Sequence, residues 1–144
     1  MDGEYNLIKE IYLLLDDGDR QFLKQFDVTP IQLYALLWLD GLPGKSLSQL
    51  SRDLLCDPAN VTRLVRQMEE KELLTRRRDS EDRRVVWVSL TPKGQQVCEQ
   101  LRQAHMEYTR ERMSVLTQVE QAQLRALLKK LKEGLKQRLY PNTG

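Results

Sequence analysis

Between Ser46 and Leu90 the chain carries nine lysine and arginine side chains, and eight are arginine: Arg52, Arg63, Arg66, Arg76, Arg77, Arg78, Arg83 and Arg84, with Lys71 the single lysine. A guanidinium is a planar fork suited to two-point contacts with a phosphate or a guanine edge, whereas an ammonium acts as a point charge. The chemistry on offer is therefore recognition of anions and base edges. Covalent chemistry lacks parts. With His105 as the only histidine, no glycine-rich phosphate loop and no GxSxG elbow, no set of acid, base and nucleophile can be nominated, so no enzyme is expected. Cys56 and Cys98 lie far apart, without a CxxC pair or nearby histidines, which predicts reduced thiols, no metal site and no cofactor.

Those arginines need elements to present them. Leu47, Leu50, Leu54 and Leu55 follow Ser46 or Ser48 as a short helix, and Asp57 with Pro58 supplies an N-cap and a first-turn proline for the next. The link between the two is only a few residues, a helix-turn-helix spacing. From 58 to about 71, Val61, Leu64, Val65 and Met68 keep the i, i+3, i+4, i+7 rule of a buried stripe. At about 100° per residue the opposite face holds Ala59, Arg63, Arg66 and Glu70, flanked by Asn60, Thr62 and Gln67. Short side chains come first and arginines after. That order lets the N-terminal half approach base edges while its amide dipole favours phosphate. Residues 73–77 and 84–90 are β-prone runs that predict an antiparallel hairpin, with the charged turn formers of 78–83 at its tip.

Long helices make up the rest. Residues 4–26 place Leu7, Ile8, Ile11, Tyr12, Leu15, Phe22 and Phe26 at helical intervals, with a kink expected at Gly18. Thr29 and Pro30 open a helix whose apolar side is expected to be Leu33, Leu36, Leu37 and Trp38 and which stops at 41–44. Thr91 and Pro92 launch a helix to about 116, and Thr117 with Glu120 begins a last one bearing Leu124, Leu128, Leu131, Leu135 and Leu139. The three long amphipathic helices outside the winged unit, the first and the last two, have more apolar surface than one small domain covers, which predicts a homodimer. The expected fold is one unit of 144 residues, mainly α with a small two-stranded β-wing. A winged helix-turn-helix spans 30–91, and an interlaced helical dimerisation region spans 1–29 and 92–144. The net charge is only +2, so the distribution of charge rather than its sum points to nucleic acid. Neither a basic leader nor an apolar run of about 20 residues is present, so no membrane partner and a cytoplasmic location are expected.

Over residues 47–94 the chain closely resembles the MarR family of bacterial transcription regulators. The most specific pieces are DPANVTRLVRQMEEKELL, the wing run RRRDSEDRRVVWVSLT and the continuation LTPKG. The resemblance implies an obligate homodimer whose first, penultimate and last helices interlace. Each helix-turn-helix would enter a major groove and each wing a minor groove of a pseudo-palindromic double-stranded operator. It implies recognition-helix contacts from Ala59, Asn60, Thr62, Arg63 and Arg66, the face that helical spacing also selects. On the wing it implies an Asp82 that orients Arg84 into the minor groove, with Arg83 the variable middle position; Arg77 and Arg78 complete the expected contacts. One departure stands out: Glu72 occupies a place where the family usually has glycine, so it either costs roughly 1 kcal/mol or the turn takes another shape.

The function so implied is a sequence-specific regulator, a repressor relieved by a small molecule or an oxidative signal. A protein-interaction module on the same scaffold is the alternative, supported by Glu72 and the acidic wing tip. Tyr12, Tyr34 and Trp38 read as core, yet the resemblance places a small-molecule crevice near them, where aromatic lining suits a small aromatic effector. Cys56, directly before the N-cap, is either a redox-responsive thiol or a small packing residue.

Overall fold

Most helix starts in this chain are written as caps. The computed structural model, which describes residues 3–142, has α1 at Glu4–Leu23, a 3-10 turn at Lys24–Phe26, and α2 at Pro30–Leu39. β1 (Lys45–Ser46) leads into α3 (Leu47–Leu54) and α4 (Pro58–Glu70), followed by β2 (Leu74–Arg78), β3 (Val86–Leu90), α5 (Pro92–Met113) and α6 (Gln118–Leu139). Thr29 accepts from the Gln32 amide and Gln32 returns the bond to Thr29, a complete capping box. Ser46, rather than Ser48, caps α3, and Asp57 caps α4. Thr117 and Glu120 form the second capping box.

Several sequence expectations shift. α1 runs helically through Gly18 and ends at Leu23, because the last three residues tighten into the 3-10 turn before Asp27 takes a left-handed φ of 53°. Of the apolar side expected for α2, Leu33 and Leu36 are buried, whereas Leu37 and Trp38 are exposed and Ala35 and Leu39 are buried in their place. Nearly every residue of PIQLYALLWL is apolar, so periodicity alone had no polar face with which to orient this helix. α5 stops at Met113, short of the expected 116.

The chain divides into two compact units, Met1–Gln103 and Ala104–Gly144, with the boundary inside α5. In the first unit the sheet is antiparallel in the order β1-β3-β2, so the expected hairpin gains a third, two-residue strand. Leu74 pairs with Leu90 and Arg78 with Val86. Relative to the sequence reading, β2 shifts by one residue and takes in Arg78, expected in the tip, while β3 starts only at Val86, because Val85 donates its amide to the Asp82 carbonyl at 3.0 Å, which leaves Arg84 and Val85 outside the strand. The core under this sheet joins Leu36, Leu50, Val65, Met68, Val88 and Leu101, all fully buried. All four residues of the α4 stripe, Val61, Leu64, Val65 and Met68, are buried as the spacing predicts. In the second unit α6 contains no buried residue, and Leu127, Leu128, Leu131, Leu135 and Leu139 stand exposed. Among the described residues no helix is long and apolar enough to cross a membrane.

Candidate nucleic-acid interface

α4 is capped at its start and tied to the scaffold at its end. At its start Asp57 accepts the Asn60 amide at 3.0 Å, and at its end Lys71 Nζ donates to the Asp27 carbonyl at 2.6 Å and to Gln32 Oε1 at 3.0 Å. The inner stripe and these two ties turn one face outward. Ala59, Asn60, Arg63 and Arg66 are exposed on it, and Thr62 is half-buried with its hydroxyl donating to the Pro58 carbonyl at 2.9 Å. The outward polar groups are themselves linked. Asn60 Nδ2 donates to Asp57 Oδ2 at 2.8 Å, and Arg63 donates to Asn60 Oδ1 at 3.0 Å. Cap, amide and guanidinium thus follow one another at three-residue spacing, the distance at which helical side chains are neighbours.

The hairpin presents the second cationic element. Arg84 donates from Nε to Asp82 Oδ1 at 3.1 Å and from a terminal nitrogen to Oδ2 at 3.2 Å, a bidentate pair, and its backbone amide also bonds Asp82 at 3.0 Å. The Arg84 side chain is 91% exposed, so the pair aims a guanidinium at solvent rather than burying it. The Arg84 side chain, followed by its amide, holds the Asp82 carboxyl below the usual aspartate range. Asp79 is lowered as well, first by the Asp82 amide, then by the Trp87 indole and the Glu81 amide.

The remaining wing arginines differ in their surroundings. Arg76 Nε lies 2.5 Å from Glu69 of α4, an ion pair between hairpin and helix. Arg77 lies over the Trp87 ring at 5.9 Å. Arg78 donates to the Arg83 carbonyl at 2.8 Å, bracing the tip from within, while Arg83 itself is exposed. Sequence reading passed over Asp79, Trp87 and Glu69. The Asp79 to Asp82 spacing of three was a usable signal, whereas a bond from Trp87 back across the hairpin depends on register.

Between helix and wing, Glu72 takes a φ of 62°. The turn keeps its left-handed shape, so of the two outcomes expected for this residue the strained one is observed. Thr91 locks it from the other side: its hydroxyl donates to the Glu72 carbonyl at 2.6 Å and accepts the Gly94 amide at 2.9 Å.

Of the other candidates, Cys56 borders this face, lining one surface cavity with Asn60 and Arg63. Cys56 is half-buried, with Sγ 3.5 Å from the Leu54 carbonyl, and packs against the core. Cys98 is fully buried, and burial pushes its thiol up to about 11. Tyr12, Tyr34 and Trp38 are 61%, 37% and 47% exposed. Tyr34 donates to Asp19 at 3.4 Å, and Lys45 Nζ, which is paired with Asp53, stands 4.7 Å from the Trp38 ring centroid. Burial, then the Asp19 charge, raises the Tyr34 hydroxyl above its ordinary value.

Comparison with known proteins gives a consistent result. Residues 28–86 match the family model described as MarR family. An uncharacterised HTH-type transcriptional regulator of Bacillus subtilis, YsmB, is 29% identical over 131 residues, 91% of this chain and 90% of the relative. The HTH-type transcriptional repressor MdtR of the same organism is 30% identical over 72% of this chain and 67% of its own length. Among solved structures, the S. aureus MepR–DNA complex superimposes with a TM-score of 0.83 at 26% identity, over 93% of this chain and 99% of that one.

Proposed function

The chain belongs to the MarR family, and from that premise we propose that it is a transcription regulator that reads double-stranded DNA in sequence-specific fashion as a homodimer. One observation carries the reading: a recognition face with Asn60, Arg63 and Arg66 and a wing whose Arg84 is held outward by Asp82 occur in one unit. Similarity to the MepR–DNA complex supports the same use of these elements. Residues 30–91 do the reading, with Ala59, Asn60, Thr62, Arg63 and Arg66 in the major groove and Arg77, Arg78, Arg83 and Arg84 along the wing. Phosphate neutralisation supplies the affinity, and Asn60 and Arg63 address base edges.

Residues 1–29 and 92–144 supply the dimer contacts. α1 exposes Leu7, Ile11 and Tyr12 and carries Glu4, Glu10, Asp16, Asp17 and Asp19 against Lys9 and Arg20. α6 exposes its leucines and carries Arg125, Lys129, Lys130, Lys132, Lys136 and Arg138 against Glu120 and Glu133. Opposite charge beside uncovered apolar surface supports seating α1 of one copy against α6 of the other. The action is repression, supported by similarity to a relative named as a repressor, and it is relieved by a small aromatic effector near Tyr12, Tyr34 and Trp38 or by oxidation at Cys56. The reading involves no catalytic step and places the protein with its DNA in the cytoplasm. The alternative of a protein-interaction module is weakened at the wing tip, where Asp79 is engaged by Trp87 and Asp82 by Arg84.

Selection of bound fragments from a genomic pool tests the proposal, with a pseudo-palindromic site as the expected product. No retention at low salt would overturn it. On the recovered site, Arg84→Ala should weaken binding and lower the salt slope by about 1 per wing, while Asn60→Ala should relax preference at particular base pairs. Equal losses on all sequences from both changes would contradict the division of labour.

A further inference from the structure

A side chain as exposed as Arg84 must give up rotamer freedom when it meets DNA, unless something holds it beforehand. Asp82 holds it directly, but Asp82 sits in the tip and needs a holder of its own. Asp79 supplies one: its Oδ2 accepts the amides of Glu81 at 3.0 Å and Asp82 at 2.9 Å. The other oxygen, Oδ1, accepts the indole N–H of Trp87 at 2.8 Å. Trp87 lies in the central strand of the sheet, paired with Arg77 on one side and Ser46 on the other, so its donor is fixed by two neighbours.

We propose that Trp87 and Asp79 are positioning residues for the wing's DNA contact. The indole anchors the Asp79 carboxylate to the sheet, Asp79 sets the backbone of Asp82, and Asp82 aims Arg84. A carboxylate with both oxygens engaged has no rotation left, and bonds to a charged acceptor are the stronger kind. The arrangement also accounts for two aspartates in an element that approaches phosphates. Their charge opposes binding, and that cost is offset only if it orders a cation that would otherwise be mobile.

The inference rests on the DNA reading above, and one set of variants separates the two. Affinity for the selected operator is measured for Trp87→Phe, Asp79→Asn, Arg84→Ala and each of the first two combined with Arg84→Ala. Trp87→Phe keeps an aromatic ring beneath Arg77 while removing the donor. Asp79→Asn keeps the shape but cannot accept from both sides, because one oxygen becomes a donor. Each of these is expected to bind about tenfold more weakly, the loss of one charge-assisted bond. Neither should weaken binding further once Arg84 is alanine. In a Trp38→Phe background the remaining indole N–H resonance should shift on Asp79→Asn; an unshifted resonance overturns the inference. Unchanged affinity for Trp87→Phe, or an equal loss in the Arg84→Ala background, also overturns it and leaves the regulator reading standing. If Asp79→Asn disturbs folding, Trp87→Phe alone decides. A parent protein that binds no DNA overturns the regulator reading, and this inference with it.

Discussion

Two residues in the left-handed region bracket the recognition helix, Leu55 with φ 52° before it and Glu72 with φ 62° after it. That conformation costs an L-residue with a side chain about 1–2 kcal/mol. Neither side chain has much to offset it: Leu55 is 80% exposed, and Glu72 reaches only an exposed ion pair with Lys93 at 3.7 Å, which contributes little. Glycine would relieve the strain while adding disorder to the unfolded chain, so part of the gain is returned. Leu55→Gly and Glu72→Gly are each expected to raise the unfolding free energy by about 0.5–1 kcal/mol in urea titrations. A loss of stability in either would show that the side chain makes a contact worth more than its strain.

At the scale of elements, the joint between α4, β2 and α5 is the tightest in the winged region. A Cβ placed on Gly94 would lie 2.0 Å from the Leu73 carbonyl oxygen, so Gly94→Ala must push backbone against backbone. It is expected to destabilise the fold by about 3 kcal/mol or more, read as a lower urea midpoint. The wing responds to pH instead. Because the hydrogen bonds to Asp79 depress its folded-state pKa, their stabilisation is present above the ordinary aspartate value and is lost as pH falls through the lowered one. With Trp38 replaced by phenylalanine, Trp87 emission should stay flat from neutral pH to about 4 and change only below it. A transition well above that value would contradict the assigned bonds. The same elements show what a sequence discloses. Caps at Thr29, Asp57 and Thr117 and the Val61 to Met68 stripe were legible because helical period and capping are local rules. The third strand, the Glu69 to Arg76 ion pair and the Trp87 to Asp79 bond were not, since each depends on the register or packing of elements that sequence places without orienting. Leu37 and Trp38 were misassigned for the opposite reason, a helix with too little polarity to orient.

At the scale of the whole molecule, the dimer seam proposed along α6 makes a specific demand. Leu131 is 44% exposed in the single chain, so a charge there leaves each copy able to fold while placing an unpaired carboxylate in the seam. Leu131→Glu is expected to sediment as a monomer at micromolar concentration. It should bind the palindromic site about a hundredfold more weakly, since the second half-site is no longer tethered to the first. A dimer of unchanged affinity would place the seam elsewhere. Within each copy, α4 keeps its duties on separate faces: Val61, Leu64, Val65 and Met68 hold the helix in place, while Asn60, Arg63 and Arg66 contribute nothing to the buried stripe. On the DNA reading proposed for this face, point mutations there would retune which operator is preferred at little expense to folding. A gene duplicate of this chain would then begin only a few outward-facing substitutions away from a new regulon.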